Sequence, residues 1–371
     1  MTAVPQELVR LGFSRNIVEP QGHGSNRVMI VGEAPGGEED AYGIPFCPHA
    51  QAGSVLERAI RRTGHNRDQF VITNVVPSRP PNNWLEGASW QADAIAWGRP
   101  ILEEAIHTYR PNAILALGGV AIRTLTGLSG PKLGVSHLTG YVLPSLFGPP
   151  VVPCFHPSFL RRGKMSLMSV LMRCIRLAIA VGASASRAIE PDPNRPPSGY
   201  YLHPDQYTAE GFLDIASRAG NNWLAYDIET FYSNAEEEAE EHDAKDIRSI
   251  QFSLMPGTGI FMPWRSPYIE IAKRILALPI RKAGWNSWRF DDPALRAAGA
   301  EINGEVHDLM WAWHHSQPDL PRGLQFAAAM QGPNITQPTA VWPFPWKHLD
   351  AASPEFYGIV DVDVLQWMLH Y

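Results

Sequence analysis

One stretch of the chain can be neither a helix nor a central strand. From Ser186 to Tyr207 the sequence reads SRAIEPDPNRPPSGYYLHPDQY and holds five prolines. Each proline lacks a backbone N–H and pushes the residue before it out of the helical region. The stretch is therefore expected to be a linker, assigned to residues 186–219, between domains at 1–185 and 220–371. Its tyrosine pair, Tyr200 and Tyr201, could dock on a neighbour. A chain of 371 residues suits two domains of this size.

Before the break, short apolar runs alternate with helix-period segments. RVMIVG, FVITNVVP, NAILALGG and VVPCFHPS read as buried strands. AGSVLERAIRRTG, ASWQADAIAWGRPILEEAIHTY, GVAIRTLTG and SLMSVLMRCIRLAIAVGA read as helices. That alternation predicts a three-layer α/β/α domain on a parallel sheet. After the break, strands come first: NNWLAYDIET, DIRSIQFSL and TGIFMPW. IEIAKRILAL, a short strand KAGWN, and helices from DDPALRAAG, HDLMWAWHHS and PEFYGIVDVDVLQWMLHY follow. This order predicts a mixed sheet flanked by helices. The acidic run EEEAEEHDAKD reads as a solvated excursion.

Composition excludes little. The net charge of −6 gives no global basic field, although a local groove is enough to bind DNA. No apolar run is expected to span a membrane, and MTAVPQELVR is not a signal peptide. Three scattered cysteines, Cys47, Cys154 and Cys174, suit a reducing cytoplasm without a disulfide framework.

In WLAYDIET, Asp227 and Glu229 are two residues apart and share one face of a strand. Alone, such a pair most often marks a solvated turn. Here other acids follow: Asp291 in WNSWRFDDPAL, Asp308 in HDLMWAW, and Asp361 four residues after Tyr357 in YGIVD. Carboxylates converging from separate segments suit Mg²⁺ or Mn²⁺, which prefer oxygen ligands. The order Asp-x-Glu, Asn-x-x-x-Phe-Asp, Tyr-x-x-x-Asp resembles the proofreading 3′–5′ exonucleases of the DEDD class, tyrosine branch, which have a ribonuclease H-like fold. The resemblance covers residues 221–371. It implies a two-metal site held by Asp227, Glu229, Asp291 and Asp361. Tyr357 would orient the attacking water, and Asn286 would support the site or touch DNA. Three residues separate Asn286 from Phe290 where the family has two, so Asp292 rivals Asp291. Leu295 falls at the helical spacing that favours Asp291. Asp363 rivals Asp361 but has no tyrosine four residues before it. Asp308 reads as a helix cap or a group behind the ligands.

The first half carries IVGEAPGGEEDAYGIPF, TNVVPSRPPNN, ALGG and CFHPSFLRRG in that order. Together they resemble the uracil-DNA glycosylase superfamily, nearest its family 4, over residues 25–185. The resemblance implies that Phe46 stacks on an extruded base and that Asn74 reads its polar edge. His156 would donate a hydrogen bond to the charge growing on uracil O2. Glu33 and Glu39 would position water or stabilise the sugar cation. Ser158, Arg161, Arg162 and Arg79 would meet phosphates. Family 4 binds an iron–sulfur cluster through four cysteines. Ser78 stands where one is expected and no paired cysteines lie upstream, so no cluster is expected here.

The two resemblances together imply a protein that acts on uracil-containing DNA and on 3′ termini. They match the amino-terminal part of some phage family A DNA polymerases, and the apolar end WMLHY reads as a fragment whose polymerase domain lies beyond it. Two other readings stand for the first domain: a non-catalytic reader of uracil or single strands, or excision of another modified pyrimidine.

Overall fold

The computed structural model describes residues 3–130, 133–184, 196–231, 247–331 and 353–370. The acidic run at 236–246 lies outside them. The chain divides into two compact units, Met1–Glu190 and Pro191–Tyr371.

The first unit is built on four parallel strands: β1 Val28–Gly32, β2 Val71–Asn74, β3 Ala113–Leu117 and β4 Val151–Cys154. Every strand residue is buried, so both faces of the sheet are covered. The helices Gly119–Thr126 and Met168–Ser184 both pack on β1, β3 and β4 or their neighbours, and Gln91–Tyr109 packs on β2. The strand order is β2-β1-β3-β4. The chain leaves β1 in one direction and later returns to its other side, so the crevice beyond the carboxyl ends of β1 and β3 is a switch point where ligands bind. Glu33 and Gly118 stand just after β1 and β3, Asn74 ends β2, and His156 follows β4.

One expectation is corrected here. The segment Met165–Ser184 is long and apolar enough to cross a membrane by length and composition, but half of it is buried within the protein. It packs against the sheet as a core helix does.

The second unit holds a mixed sheet in the order β10-β9-β6-β7-β8-β5. Its strands are β5 Tyr200–Tyr201, β6 Trp223–Thr230, β7 Ile247–Ser253, β8 Gly259–Pro263, β9 Arg281–Gly284 and β10 Val306–Asp308. β6, β7 and β8 are antiparallel neighbours, whereas β9 runs parallel to β6 and β10 parallel to β9. Leu224, Tyr226 and Ile228 of β6 point into a core shared with the helices Gln206–Ser217 and Tyr268–Leu276. The helix Pro354–His370 also packs on β6, β7 and β8. It comes close: a Cβ on Gly358 would stand 2.7 Å from the Gln251 amide carbon of β7, so a larger residue would force that buried side chain to move.

The linker expected at 186–219 is shorter than the sequence suggests. β5 and the helix Gln206–Ser217 belong to the second unit. One tyrosine of the pair docks: Tyr200 is buried and its hydroxyl donates to Asp363 at 2.5 Å, whereas Tyr201 is exposed. Tertiary pairing with β8 overrides the poor propensity of a proline-rich stretch. HDLMWAWHHS is also corrected at its start, since Val306–Asp308 is strand and the helix begins at Leu309.

Candidate functional sites

A cleft of about 1240 Å³ opens at the switch point of the first unit, lined by Glu33, Gly118, His156, Ser158, Arg161 and Arg162 among others. Behind its wall lie Phe46 and Asn74, 2% and 4% exposed. The Phe46 ring stands 5.5 Å from the His156 ring. A Cβ on Gly32 would meet Asn74 Oδ1 at 2.4 Å and the Phe46 ring at 2.5 Å, so the bare glycine lets both close in on the end of β1. Asn74 is the unusual residue. Neither its Oδ1 nor its Nδ2 has a hydrogen-bond partner. Leaving a buried polar group unpaired costs about 1–3 kcal/mol, so the arrangement suits a site whose ligand supplies the partners.

Phe46 has a left-handed backbone, φ 48°, which is rare for a bulky side chain. Two charged groups hold it there. Glu39 accepts from the N–H of Phe46 and, at 2.8 Å, from that of Gly36. Arg67 donates to the carbonyls of Phe46, at 3.0 Å, and Pro45. Burial raises the Glu39 carboxyl above its ordinary value and lowers the Arg67 guanidinium. Both oxygens of Glu39 thus accept backbone N–H groups, so it clamps Phe46, and the residue also lines the cleft. Arg67 belongs to the same device. Its signal, a lone arginine after a helix, could not be read from the sequence.

His156 caps the helix Pro157–Arg161. Its Nδ1 lies 2.7 Å from the Ser158 hydroxyl and accepts the Ser158 N–H at 3.3 Å. With Nδ1 accepting, a neutral ring carries its proton on Nε2. Burial, then the positive Arg162, lowers the pKa to about 4, so the ring is neutral at pH 7. Ser158 therefore fixes a tautomer as well as standing at the cleft. Glu33 lines the cleft and accepts the N–H of Glu86 at 3.2 Å. Burial, then the charge of Glu86, raises its pKa. Arg161 and Arg162 line the mouth, while Arg79 is tied to Asn83 at 2.7 Å.

In the second unit, carboxylate oxygens of Asp227, Glu229 and Asp361 lie within 4.8 Å of one another. β6 supplies two from the face opposite the core, and the helix Pro354–His370 supplies the third. Arg248 approaches Glu229 at 3.9 Å. Like charges so close repel unless a cation joins them, and an all-oxygen set suits Mg²⁺ or Mn²⁺. Tyr357 is buried one turn before Asp361. Asp291 stands beside this group of three rather than in it. It is buried, and its Oδ1 accepts the N–H of Ile228, the residue between the two acids of β6, at 2.8 Å. Burial raises its pKa to about 8. Of the rivals, Asp292 is bound to the Tyr226 hydroxyl, and Asp363 to Tyr200 and the Gly257 N–H. Asp308 is a helix cap: it accepts from Met310 and also pins the backbone N–H groups of Asn286 and Trp288. Asn286 is held by this anchor in a left-handed turn, φ 60°.

A family model described as the uracil DNA glycosylase superfamily matches residues 20–178. A type-4 uracil-DNA glycosylase of Thermotoga maritima is 37% identical over 163 residues, which cover 44% of this chain and 79% of that protein. The chain belongs to the uracil DNA glycosylase superfamily. A second type-4 enzyme, of Pyrobaculum aerophilum, is 38% identical over 120 residues, covering 32% of this chain and 58% of that one. Among solved structures, Trypanosoma brucei RNase D in complex with RNA U12 is 15% identical with a TM-score of 0.27. It covers 45% of this chain and 61% of that one, a likeness too slight to speak for the fold of either unit.

The glycosylase unit does not fit an iron–sulfur cluster. The chain has three cysteines where the family 4 pattern uses four. All three are buried, and among the described residues no group of them gathers closely enough to share an ion. Burial holds the Cys154 thiol well above its ordinary value, which disfavours the thiolate a cluster needs. At Ser78, the expected ligand position, the hydroxyl donates to the carbonyl of Ser14 at 2.7 Å, and the Ser14 N–H donates to the Arg79 carbonyl at 3.0 Å. A serine clasp joins the two loops there.

Proposed function

We propose that the first unit excises uracil from DNA and that the second is a metal-dependent 3′–5′ exonuclease. Asn74 carries the first half of the reading. Its buried amide offers one donor and one acceptor, both unpaired, which complement the edge of uracil. Cytosine presents the opposite pattern at that edge, so the amide favours uracil as long as its oxygen and nitrogen keep their present places. Phe46, clamped by Glu39 and Arg67, supplies the apolar face for the base. As the bond from the sugar to the base breaks, its electrons pass into the ring and charge grows on O2. The neutral His156, with its proton on Nε2, donates a hydrogen bond to that oxygen without surrendering a full charge to the site. Glu33, at the mouth of the cleft, positions the water that joins the sugar carbon or steadies the sugar cation. Arg161 and Arg162 hold the flanking phosphates.

In the second unit, Asp227, Glu229 and Asp361 would hold Mg²⁺ or Mn²⁺. When bound, the ions supply charge neutralisation and an acidified water for phosphodiester hydrolysis. Asp291 fixes the strand backbone between the two acids of β6, and Tyr357 orients the water. The location of two of the acids on an interior strand of a mixed sheet supports this reading. The pairing suits a polypeptide of the phage-polymerase kind, in which both damaged bases and mismatched ends must be removed.

The test of the first half uses end-labelled DNA with one uracil, EDTA to silence the second unit, and alkali to break abasic sites. Strand cleavage at the uracil is expected, and His156→Ala should suppress it more than it suppresses binding. An intact strand that still binds the protein would make the unit a reader instead.

A further inference from the structure

The cleft is larger than one base requires. Its volume of about 1240 Å³ exceeds the roughly 300–1,000 Å³ of pockets that take a drug-sized ligand. Of the residues that would hold the pyrimidine, His156 lines it and Phe46 and Asn74 lie behind its wall. On its lining also stands Trp84, 54% exposed, from the loop that follows β2. Its place on the cleft's lining leaves the face of the indole open to whatever enters.

The loop is built to hold that ring still. Asn82 and Asn83, immediately before it, both have left-handed backbones, φ 54° and 57°. The Trp84 indole N–H donates to the Glu86 carbonyl at 2.8 Å, and the Trp90 indole N–H donates to the Trp84 carbonyl at 3.2 Å. The two indoles meet edge to face at 5.8 Å. Glu86 is in turn fixed by Arg123 at 2.6 Å. The polar atom of Trp84 is therefore spent inside the loop, and its ring surface is what remains to offer a ligand. The same lining carries Phe159, 39% exposed and stacked on Phe155 at 5.6 Å, together with Arg161 and Arg162. Aromatic rings interleaved with cations are the arrangement that binds single-stranded nucleic acid, rings to bases and cations to phosphates.

We propose that Trp84 is a stacking platform for a base adjacent to the excised pyrimidine, so that the cleft takes a short run of unpaired nucleotides rather than one. The inference rests on the reading of this cleft as the base-excising site. A stacked base contributes by its aromatic face and not by its hydrogen-bonding edge, so the preference is for the presence of a base, whatever its identity.

The test uses the full chain in EDTA with a single-stranded oligonucleotide holding one central uracil. A second oligonucleotide has the bases removed from the two nucleotides flanking the uracil. Affinity and single-turnover excision are measured for the wild-type chain, Trp84→Ala and Trp84→Phe. On the intact strand Trp84→Ala should bind about 10-fold more weakly, and Trp84→Phe should recover most of that. Without the flanking bases the wild-type chain should itself weaken about 10-fold and match Trp84→Ala. Equal binding by wild type and Trp84→Ala on the intact strand overturns the proposal. So does a difference that persists without the flanking bases, because it would be structural. If Trp84→Ala does not fold, the response of the wild-type chain to base removal decides alone. Trp84-dependent binding with no excision would sink the base-excising reading and leave the platform. Excision without dependence on Trp84 would do the reverse.

Discussion

In the first unit, burial keeps His156 neutral and leaves the Asn74 amide without partners. In the second, three carboxylates stand within 4.8 Å of one another. The first arrangement leaves a buried amide without hydrogen bonds, and the second gathers acidic oxygens at one point. A neutral base edge satisfies one and a divalent cation the other. The local folds follow from that difference. The cleft sits where loops leave a parallel sheet, and strained backbone at Phe46 is held by Glu39 and Arg67. The acids instead come from one strand face and one helix face, where regular geometry alone brings like charges together.

Breaking one half of this comparison should leave the other intact. Asp227→Ala should reduce 3′ shortening by roughly 10³-fold or more, since a bound metal contributes several kcal/mol to such chemistry. Uracil excision by the same variant should be unchanged in an alkali-cleavage assay. Asn74→Ala should lower excision by about 100-fold, the effect of removing a paired polar edge, while 3′ shortening in Mg²⁺ persists. Arg67→Ala should lower excision by about 10-fold in single-turnover kinetics, because a displaced ring weakens stacking without removing a reacting group. Arg67→Lys should restore it only in part, since the guanidinium reaches the Phe46 and Pro45 carbonyls with two separate nitrogens held in one plane.

The smallest expected effect is on pH dependence. With His156 at about 4, its ring should stay neutral from pH 8 to pH 5, so any fall of excision in EDTA over that range should follow the raised Glu33 carboxyl and vanish in Glu33→Gln. The stability contribution has a definite sign. The folded pKa lies below the unfolded one, so acidification protonates the unfolded chain first. The contribution is intact above pH 6.5 and is lost as pH falls towards 4. The full loss is about 3 kcal/mol, visible in urea melts of the glycosylase unit. A fall with a midpoint near pH 6.5 that persists in Glu33→Gln would contradict the neutral-donor role.

Much of this was legible in the sequence. Buried strands in the first half stand out as apolar runs, and the motifs place Glu33, Asn74 and His156 at their ends. The i, i+2 and i, i+4 spacings put Asp227 with Glu229 and Tyr357 with Asp361. What the sequence hid depends on contacts between distant segments. Glu39 reads as a second acid for water, yet its carboxylate closes a loop seven residues on. Arg67 meets Phe46 from 21 residues away. Tyr200 looks like linker because its partner Asp363 lies 163 residues further on. Asp291 fits a motif, but its neighbour is the backbone of β6.

A single time course tests the two-site account most directly. One oligonucleotide, labelled at its 5′ end and carrying an internal uracil, is incubated with the full chain in Mg²⁺ and, separately, in EDTA. Each sample is divided between alkali and no treatment. The account predicts that EDTA halts shortening from the 3′ end while alkali-labile sites at the uracil form at the same rate. Loss of both activities in EDTA, or shortening that continues without metal, would contradict it.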